Sequence, residues 1–220
     1  FFAQGEPDMV GGGVVEIVTL ESVRWNDPPH KDEAGTPNVI GGVALAAAIG
    51  VLEAVGMDTI ARHETELLRY SYDALERVPG IILYGRPADF GQKVGAITFN
   101  LDGKHNSLVS AILGIEGGIG VRNGCFCAHP YVKHMLGVTA EEDRIFTEEV
   151  IAGNKSRMPG MVRASLGCYS NEADIDALVA MLQRIQRGEY RGTYRQNMAS
   201  GAFHADGYAP DFSRYFRYHL

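Results

Sequence analysis

Residues 118–130 read Gly118-Ile119-Gly120-Val121-Arg122-Asn123-Gly124-Cys125-Phe126-Cys127-Ala128-His129-Pro130. The first of these residues, 118–122, predict a short strand, and the glycine and proline that follow mark a loop. Two cysteines lie two residues apart in that loop. A thiolate is a strong nucleophile, and nearby cations such as Arg122 favour it. The pattern therefore indicates either a reactive loop cysteine or a pair of small, buried apolar side chains.

The same loop contains a candidate metal-binding pattern, Cys-x-Cys-x-His-x4-His, formed by Cys125, Cys127, His129 and His134. Thiolate and imidazole groups are the ligands that zinc prefers. Structural zinc sites usually have wider spacing within each ligand pair and a second pair well downstream. Because these four groups crowd into residues 125–134, we predict no metal. A non-enzymatic Cys/His metal-binding or interaction domain stays open as an alternative.

Two further candidate sites lie on either side of this loop. Downstream, Arg163 lies in a predicted strand, where an arginine among apolar neighbours needs an anionic partner. That partner is either a structural carboxylate or the carboxylate of a substrate. Upstream, Gly35 and Thr36 precede a predicted helix. Backbone amides at a helix N-terminus and a hydroxyl can bind phosphate, although the same residues also suit an ordinary helix start.

The rest of the pattern predicts an α+β domain with a small sheet covered by helices on one face. Apolar periodicity predicts helices at 39–56, 59–78 (with Asp58 as N-cap), 106–114, and from Ser170 or Asn171 to 187. β-Branched and apolar runs predict strands at 14–20, 81–84, 95–100, 118–122 and 161–166. The helix at 39–56 is expected to be largely buried. Residues 138–160 predict a loop with a partial helix, and the tail from 188 has no usable period.

Composition excludes some classes of function. The net charge of −7 over 220 residues argues against binding to nucleic acid or to an anionic membrane surface. The longest apolar stretch, around 39–55, is interrupted by glycines and by Glu53, and no signal-peptide pattern is present. Three cysteines do not suggest a disulfide framework, so the cytoplasm is the expected location. The start at Phe1 suggests that an upstream segment was removed.

Several segments in order carry a family resemblance: Glu33-Ala34-Gly35-Thr36-Pro37-Asn38, Gly95-Ala96-Ile97-Thr98-Phe99-Asn100-Leu101, residues 118–130, Val162-Arg163-Ala164-Ser165, and Asp174-Ile175-Asp176-Ala177-Leu178. Together they resemble class V aminotransferases of the cysteine desulfurase and selenocysteine lyase branch, over residues 11–187. The resemblance implies the C-terminal half of a fold-type I enzyme that uses pyridoxal phosphate (PLP). Residues 1–57 would be the end of the large PLP domain and a connecting helix, 58–187 the small domain, and 188–220 an extension.

The resemblance also implies roles for individual residues. Cys127 matches the loop cysteine that takes sulfur or selenium from an amino-acid substrate as a persulfide and leaves alanine. Arg163 matches the arginine that binds the substrate carboxylate, and Arg122 is a second substrate-binding candidate. Gly35 and Thr36 match a segment that reaches the phosphate of the PLP in the partner subunit. A homodimer and a sulfur-acceptor protein are the implied partners, with no nucleic acid and no membrane.

The chain departs from the family at the cofactor lysine. The Schiff-base lysine of the family, together with the histidine and aspartate that contact the cofactor ring, lies upstream of every matched segment, and none has a match here. Lys31 lies before Gly35 in a segment that predicts a solvated loop, so it is not the substitute. We therefore expect a fragment that is inactive alone and that associates through apolar surface in 1–57. A class V enzyme without a catalytic cysteine is the alternative within the family.

Overall fold

The computed structural model describes residues 4–214, with side chains over 4–213. The chain divides into two compact units, Phe1–Met57 and Asp58–Leu220. The assignment of the first unit to a larger cofactor domain stays a prediction. No single helix within the described residues is long and apolar enough to cross a bilayer; only Val39–Val55 and Met57–Leu75 together, bent at the break between them, meet that test by length and composition.

The first unit contains a hairpin and one long helix. Strand β1 (Val15–Val18) pairs antiparallel with β2 (Val23–Trp25). The Thr19 hydroxyl closes the turn by accepting a hydrogen bond from the Ser22 N–H at 2.9 Å. The strand predicted over 14–20 is therefore shorter, because its last residues form this turn. Helix α1 (Val39–Val55) begins after Asn38, whose side chain accepts a hydrogen bond from the Gly41 N–H.

Helix α1 is apolar on every side, yet none of its residues is buried. Its exposed side chains include Val39, Ile40, Val43, Leu45 and Val51. A helix that is apolar all round is normally covered by protein or by lipid. The expectation of a largely buried helix is wrong for this chain, because the described residues provide no layer over α1.

The second unit is built on a four-stranded antiparallel sheet in the order β3-β4-β6-β5. Its strands are β3 (Ile81–Tyr84), β4 (Ala96–Leu101), β5 (Arg122–Gly124) and β6 (Met161–Ser165). Its helices are α2 (Met57–Leu75), α3 (Asn106–Gly117), α4 (His129–Met135), α5 (Ala140–Ile151) and α6 (Glu172–Arg187). Buried and half-buried side chains alternate along β4, so one face of the sheet carries the core.

The core of the second unit joins the sheet to α2, α3 and α6. Ile97 and Phe99 of β4 are fully buried in one cluster with Tyr72 of α2, Ile112 of α3 and Leu182 of α6. A contiguous cluster of this kind is what a single domain needs for its own stability. The predicted α+β class, with helices covering a small sheet, is confirmed.

Several element boundaries differ from the predicted ones. Helix α6 begins after Asn171, which forms a capping box with Asp174, so Ser170 is not the cap. Helix α2 begins at Met57, which places Asp58 in its first turn rather than at the N-cap. Strand β5 begins only at Arg122. Helix α3 extends to residue 117, and residues 118–121 connect the end of that helix to the strand.

The segments predicted as loop or tail are more regular than expected. Helix α4 was not predicted, and α5 forms because Thr139 and Glu142 make a capping box at its start. The tail contains a hairpin of β7 (Tyr194–Gln196) and β8 (Phe203–Ala205). The Glu116 carboxylate fastens this hairpin to α3 by accepting hydrogen bonds from the Arg191 and Gly192 N–H groups and from the Tyr194 hydroxyl.

Candidate active site around Cys127

Cys127 lies in a tight turn between β5 and α4. The Ala128 N–H donates to the Cys125 carbonyl at 2.8 Å, and the two central residues, Phe126 and Cys127, have φ of 53° and 61°. Two positive φ values are typical of a type I′ turn, which usually carries glycine, asparagine or aspartate. A different residue in this region costs about 1–2 kcal/mol. Such strain persists only where surrounding contacts impose it, and it concentrates at functional sites.

Two side-chain contacts hold this turn in place. The Cys125 thiol donates a hydrogen bond to the Pro159 carbonyl at 3.0 Å. The Phe126 ring packs against Arg163, with 5.2 Å between the guanidinium carbon and the ring centre, which is a cation–π contact. Sequence reasoning missed both Phe126 and Pro159, because neither spacing nor composition marks a contact between residues so far apart in the chain.

Two arginines from neighbouring strands contact the turn that carries Cys127: Arg122 at the Cys127 sulfur and Arg163 at the Phe126 ring. Arg122 of β5 and Arg163 of β6 are direct cross-strand partners, and the Arg122 Nη2 is 3.7 Å from the Cys127 Sγ. Like charges directly opposite each other destabilise a sheet. An anion bound between them would relieve that repulsion. The fold thus brings the predicted catalytic residue Cys127 together with Arg122, which contacts it, and with Arg163, the strand partner of Arg122.

The Arg163 Nε is buried and has no hydrogen-bond partner within the described residues. A buried guanidinium N–H without an acceptor is unfavourable and uncommon in folded proteins. A carboxylate is the ligand that fits an arginine best, because it can accept two parallel hydrogen bonds. The unsatisfied Nε therefore supports a carboxylate-binding role for Arg163.

The two loop cysteines have opposite environments. Cys127 is exposed, whereas Cys125 is buried. Burial raises the pKa of the Cys125 thiol, and the positive charge of Lys133 opposes that effect without cancelling it. Reactive thiols are exposed and lie next to cations. Cys127 meets both conditions, whereas Cys125 is buried. No three histidine, cysteine or carboxylate side chains converge on a metal site among the described residues, so the zinc alternative gains no support.

The site is open on one side. A cavity of about 560 Å³ borders Cys125 and is walled by Phe146, Val150 and Met158, but neither Cys127 nor the two arginines line it. Cys127 is exposed instead. Active sites that stabilise charge usually exclude water, and the described residues do not enclose the Cys127 sulfur.

Gly35 and Thr36 lie in the first unit, apart from the other predicted site residues in the chain. The Gly35 N–H donates to the Gly12 carbonyl at 2.9 Å and is therefore already committed. Thr36 is exposed and borders a cavity whose lining residues include three acidic ones, Asp8, Asp32 and Glu33. Carboxylates repel a phosphate, so these residues fit the phosphate of PLP only in part.

Lys31 does not lie in a solvated loop, and that prediction is wrong. Its side chain is buried, with 4% of the residue exposed. Its ammonium group donates a hydrogen bond to the Gly5 carbonyl at 2.5 Å, which gives the buried charge a polar partner. An amine held in this way is not accessible to an aldehyde cofactor, so Lys31 does not take the place of the missing cofactor lysine.

Comparison with known proteins identifies the family of the chain. The family model described as aminotransferase class V matches residues 2–178. A probable cysteine desulfurase of Halobacterium salinarum is 36% identical over 84% of the chain and 39% of its own length. A cysteine desulfurase of Klebsiella pneumoniae is 38% identical over 80% of the chain and 37% of its own length. The chain thus spans about two fifths of these curated relatives.

Solved structures give the same result. The apo cysteine desulfurase of Thermococcus onnurineus has a TM-score of 0.67 and 31% identity, over 86% of this chain and 41% of that one. The cysteine desulfurase CsdA of Escherichia coli, as the S-sulfonic acid form, has a TM-score of 0.64 and 27% identity, over 83% and 39%. The matches of family model, sequence and fold all cover most of the chain, which therefore belongs to the class V aminotransferase family.

Proposed function

We propose that these 220 residues are the C-terminal portion of a PLP-dependent cysteine desulfurase or selenocysteine lyase. The observation that carries the proposal is an exposed thiol, Cys127, in a strained turn with the Arg122 guanidinium 3.7 Å from its sulfur. Strain, exposure and a neighbouring cation are the properties of a nucleophilic thiolate.

In the proposed reaction the Cys127 thiolate attacks the sulfur of a bound cysteine. A sulfur–sulfur bond forms on Cys127 while the carbon–sulfur bond of the substrate breaks and leaves its electron pair with the substrate carbon skeleton. Protonation of the former sulfur-bearing carbon gives alanine, and the other product is a Cys127 persulfide. PLP, when bound, supplies the electron sink that makes this bond cleavable. The thiolate of an acceptor, for which a protein thiol is our proposal, then attacks the outer sulfur of the persulfide. The sulfur moves to the acceptor and the Cys127 thiolate is released.

The two arginines have separate roles in this proposal. Arg163 would bind the substrate carboxylate, which gives its buried Nε an acceptor. Arg122 would stabilise negative charge on the Cys127 sulfur, because its guanidinium is in contact with that atom. The persulfide sulfur carries the same negative charge, so Arg122 would also hold it until transfer.

The residues present fit the cofactor incompletely. Gly35 and Thr36 would reach the phosphate of PLP in a partner subunit, which makes a homodimer part of the proposal. Since Lys31 is buried and bonded to the Gly5 carbonyl, no residue matched to the family can hold PLP covalently in this chain. The 220 residues alone are therefore expected to be inactive, and the lysine is expected elsewhere in the complete protein.

The test uses the complete gene product purified with PLP and supplied with L-cysteine. Alanine and enzyme-bound sulfur should form, and Cys127→Ser should lower sulfur transfer by roughly 100-fold or more. Cys168→Ser is the matched control, because Cys168 is also exposed, and it should leave the rate unchanged. Unchanged sulfur release in Cys127→Ser would assign the protein to another class V reaction. Parallel assays with selenocysteine decide between the two substrates.

A further inference from the structure

Cys125 occupies the first position of the turn whose third position is Cys127. Its thiol donates to the Pro159 carbonyl at 3.0 Å, and 5% of the residue is exposed. It forms a small apolar cluster with Val132 of α4 and Met161 of β6. Cys125 therefore connects the turn to α4, the next helix in the chain, and to β6, the neighbouring strand in the sheet.

Two explanations for this cysteine are possible: a second reactive thiol, or a fixed point for the turn. A thiol that exchanges with a neighbouring persulfide is solvent-accessible and easily ionised. Cys125 has neither property, since it is buried and its pKa is raised by that burial. The thiol also acts as a hydrogen-bond donor in the structure, which requires its proton. The observations therefore favour the fixed point.

The acceptor of this hydrogen bond is itself held firmly. Gly160, the residue after Pro159, is buried, and its carbonyl accepts a hydrogen bond from the Asn100 side chain at 3.1 Å. A Cβ built on Gly160 would lie 2.7 Å from the Gly124 Cα, so the two backbones touch just before the turn. The Pro159 carbonyl is thus a rigid point against which the turn can be fastened.

A strained turn needs such a point. Phe126 and Cys127 both have positive φ, and both would gain free energy by returning to the ordinary region. The Cys125–Ala128 backbone hydrogen bond closes the turn but does not fix its direction. The Cys125 side chain fixes the orientation of the turn, because its hydrogen bond to Pro159 joins the start of the turn to the segment before β6.

We propose that Cys125 is a positioning residue whose thiol, hydrogen-bonded to the Pro159 carbonyl, holds the Cys127 sulfur beside Arg122. The proposal deepens the proposed function and rests on Cys127 being its nucleophile. In this role Cys125 stays protonated and hydrogen-bonded. It therefore neither takes the outer sulfur of a Cys127 persulfide nor displaces that sulfur as hydrosulfide to form an internal disulfide.

The test compares alkylation of Cys127 by iodoacetate, which is anionic, with alkylation by iodoacetamide, which is neutral. The complete protein is used at low ionic strength, sites are quantified by mass spectrometry, and exposed Cys168 is the internal standard. Because Arg122 attracts the anion, the iodoacetate/iodoacetamide rate ratio at Cys127 should exceed that at Cys168 by roughly threefold. Arg122→Gln gives the ratio expected when the contact is lost.

Three substitutions at Cys125 then separate the hydrogen bond from packing. Cys125→Ser keeps a donor and should keep the wild-type ratio. Cys125→Ala and Cys125→Val both lack the donor but change side-chain volume in opposite directions, so a shared fall to the Arg122→Gln ratio reports the hydrogen bond. An unchanged ratio in folded alanine and valine variants overturns the proposal. If neither variant folds, the serine variant decides: a wild-type ratio supports the proposal, and a fall to the Arg122→Gln ratio overturns it.

This readout is independent of PLP and of catalysis. A ratio that follows the Cys125 donor, together with sulfur transfer that survives Cys127→Ser, would retain the positioning role and reject the proposed function. If the positioning role and the proposed function are both correct, Cys125→Ala should also lower kcat for sulfur transfer by about tenfold, as expected for a displaced nucleophile. Cys125→Ser should keep the wild-type kcat.

Discussion

Helices α6 and α1 are of similar length, 16 and 17 residues, but they differ in what covers them. Helix α6 buries one stripe that includes Ile175, Leu178 and Leu182, whereas α1 buries no residue although it is apolar on every side. The second unit therefore contains its own core. Among the described residues of the first unit, no layer of protein covers its apolar helix, although a helix of this composition is normally buried.

The largest expected difference between these two helices is in stability. Leu182→Ala should lower the free energy of unfolding of the second unit by about 2–5 kcal/mol, because the fully buried side chain leaves a cavity. Leu45→Ala, the matched change on exposed α1, should cost less than about 0.5 kcal/mol. Urea unfolding followed by far-ultraviolet circular dichroism measures both. Equal losses would contradict the contrast between the helices.

The next prediction tests whether the apolar surface of α1 drives self-association of the 220-residue chain. Burial of one large aliphatic side chain contributes about 1.5–3 kcal/mol. Leu45→Glu should therefore raise the dissociation constant for self-association by roughly tenfold or more. Analytical ultracentrifugation measures it, with Tyr169→Glu as the control, because Tyr169 is a highly exposed aromatic residue of the second unit. A wild-type chain that stays monomeric would sink the prediction.

Replacing the N-cap residues of the two helices should give a smaller difference in the stability of the second unit. Asn171 starts α6 and Asn38 starts α1, and each side chain accepts a backbone N–H. Asn171→Ala should destabilise the second unit by about 1 kcal/mol. Asn38→Ala should leave the unfolding of that unit unchanged, since α1 belongs to the other unit. Amide hydrogen exchange in α3 reports the second unit alone. Exchange there should become faster in Asn171→Ala and should not change in Asn38→Ala.

The smallest expected effect concerns the tail, which is fastened to the second unit by polar contacts. Burial raises the pKa of Glu116, but hydrogen bonds from Arg191, Gly192 and Tyr194 outweigh it, so the pKa lies below the ordinary value. The attachment is therefore complete above the ordinary glutamate pKa and is lost as pH falls through the lower folded pKa. The Gly192 amide chemical shift should titrate in that acidic window, and Glu116→Gln should abolish the titration.

Sequence patterns identified the elements that are determined by local periodicity and by capping residues. The stripe of α6 and its Asn171 cap follow from helical spacing and a capping residue. The alternation along β4 likewise follows from the period of a strand. The nearness of Arg122 to Cys127 was predicted from the loop sequence, whereas Arg163 was grouped with them only by family resemblance. The sheet register explains the place of Arg163, because the two arginines are cross-strand partners.

Features that depend on distant residues could not be predicted. The turn at Phe126 lacks the glycine or asparagine that marks a type I′ turn. Its attachment to Pro159 joins residues 34 positions apart in the chain. Lys31 looked solvated because its partner is a backbone carbonyl, which no sequence pattern reveals. The exposure of α1 could not be predicted for the same reason. Periodicity shows that a helix is apolar, but it does not show whether another element packs against it.

The contact between Gly124 and Gly160 limits how this loop can be re-engineered. Any side chain at Gly160 would meet the Gly124 backbone, and Gly124 has φ of 102°, which other residues rarely adopt. A mutational library aimed at new substrates should therefore leave both positions invariant and place its diversity elsewhere in the loop. A substitution at either glycine would displace the strand next to it and lower activity for that reason. That loss of activity could then be mistaken for altered substrate specificity.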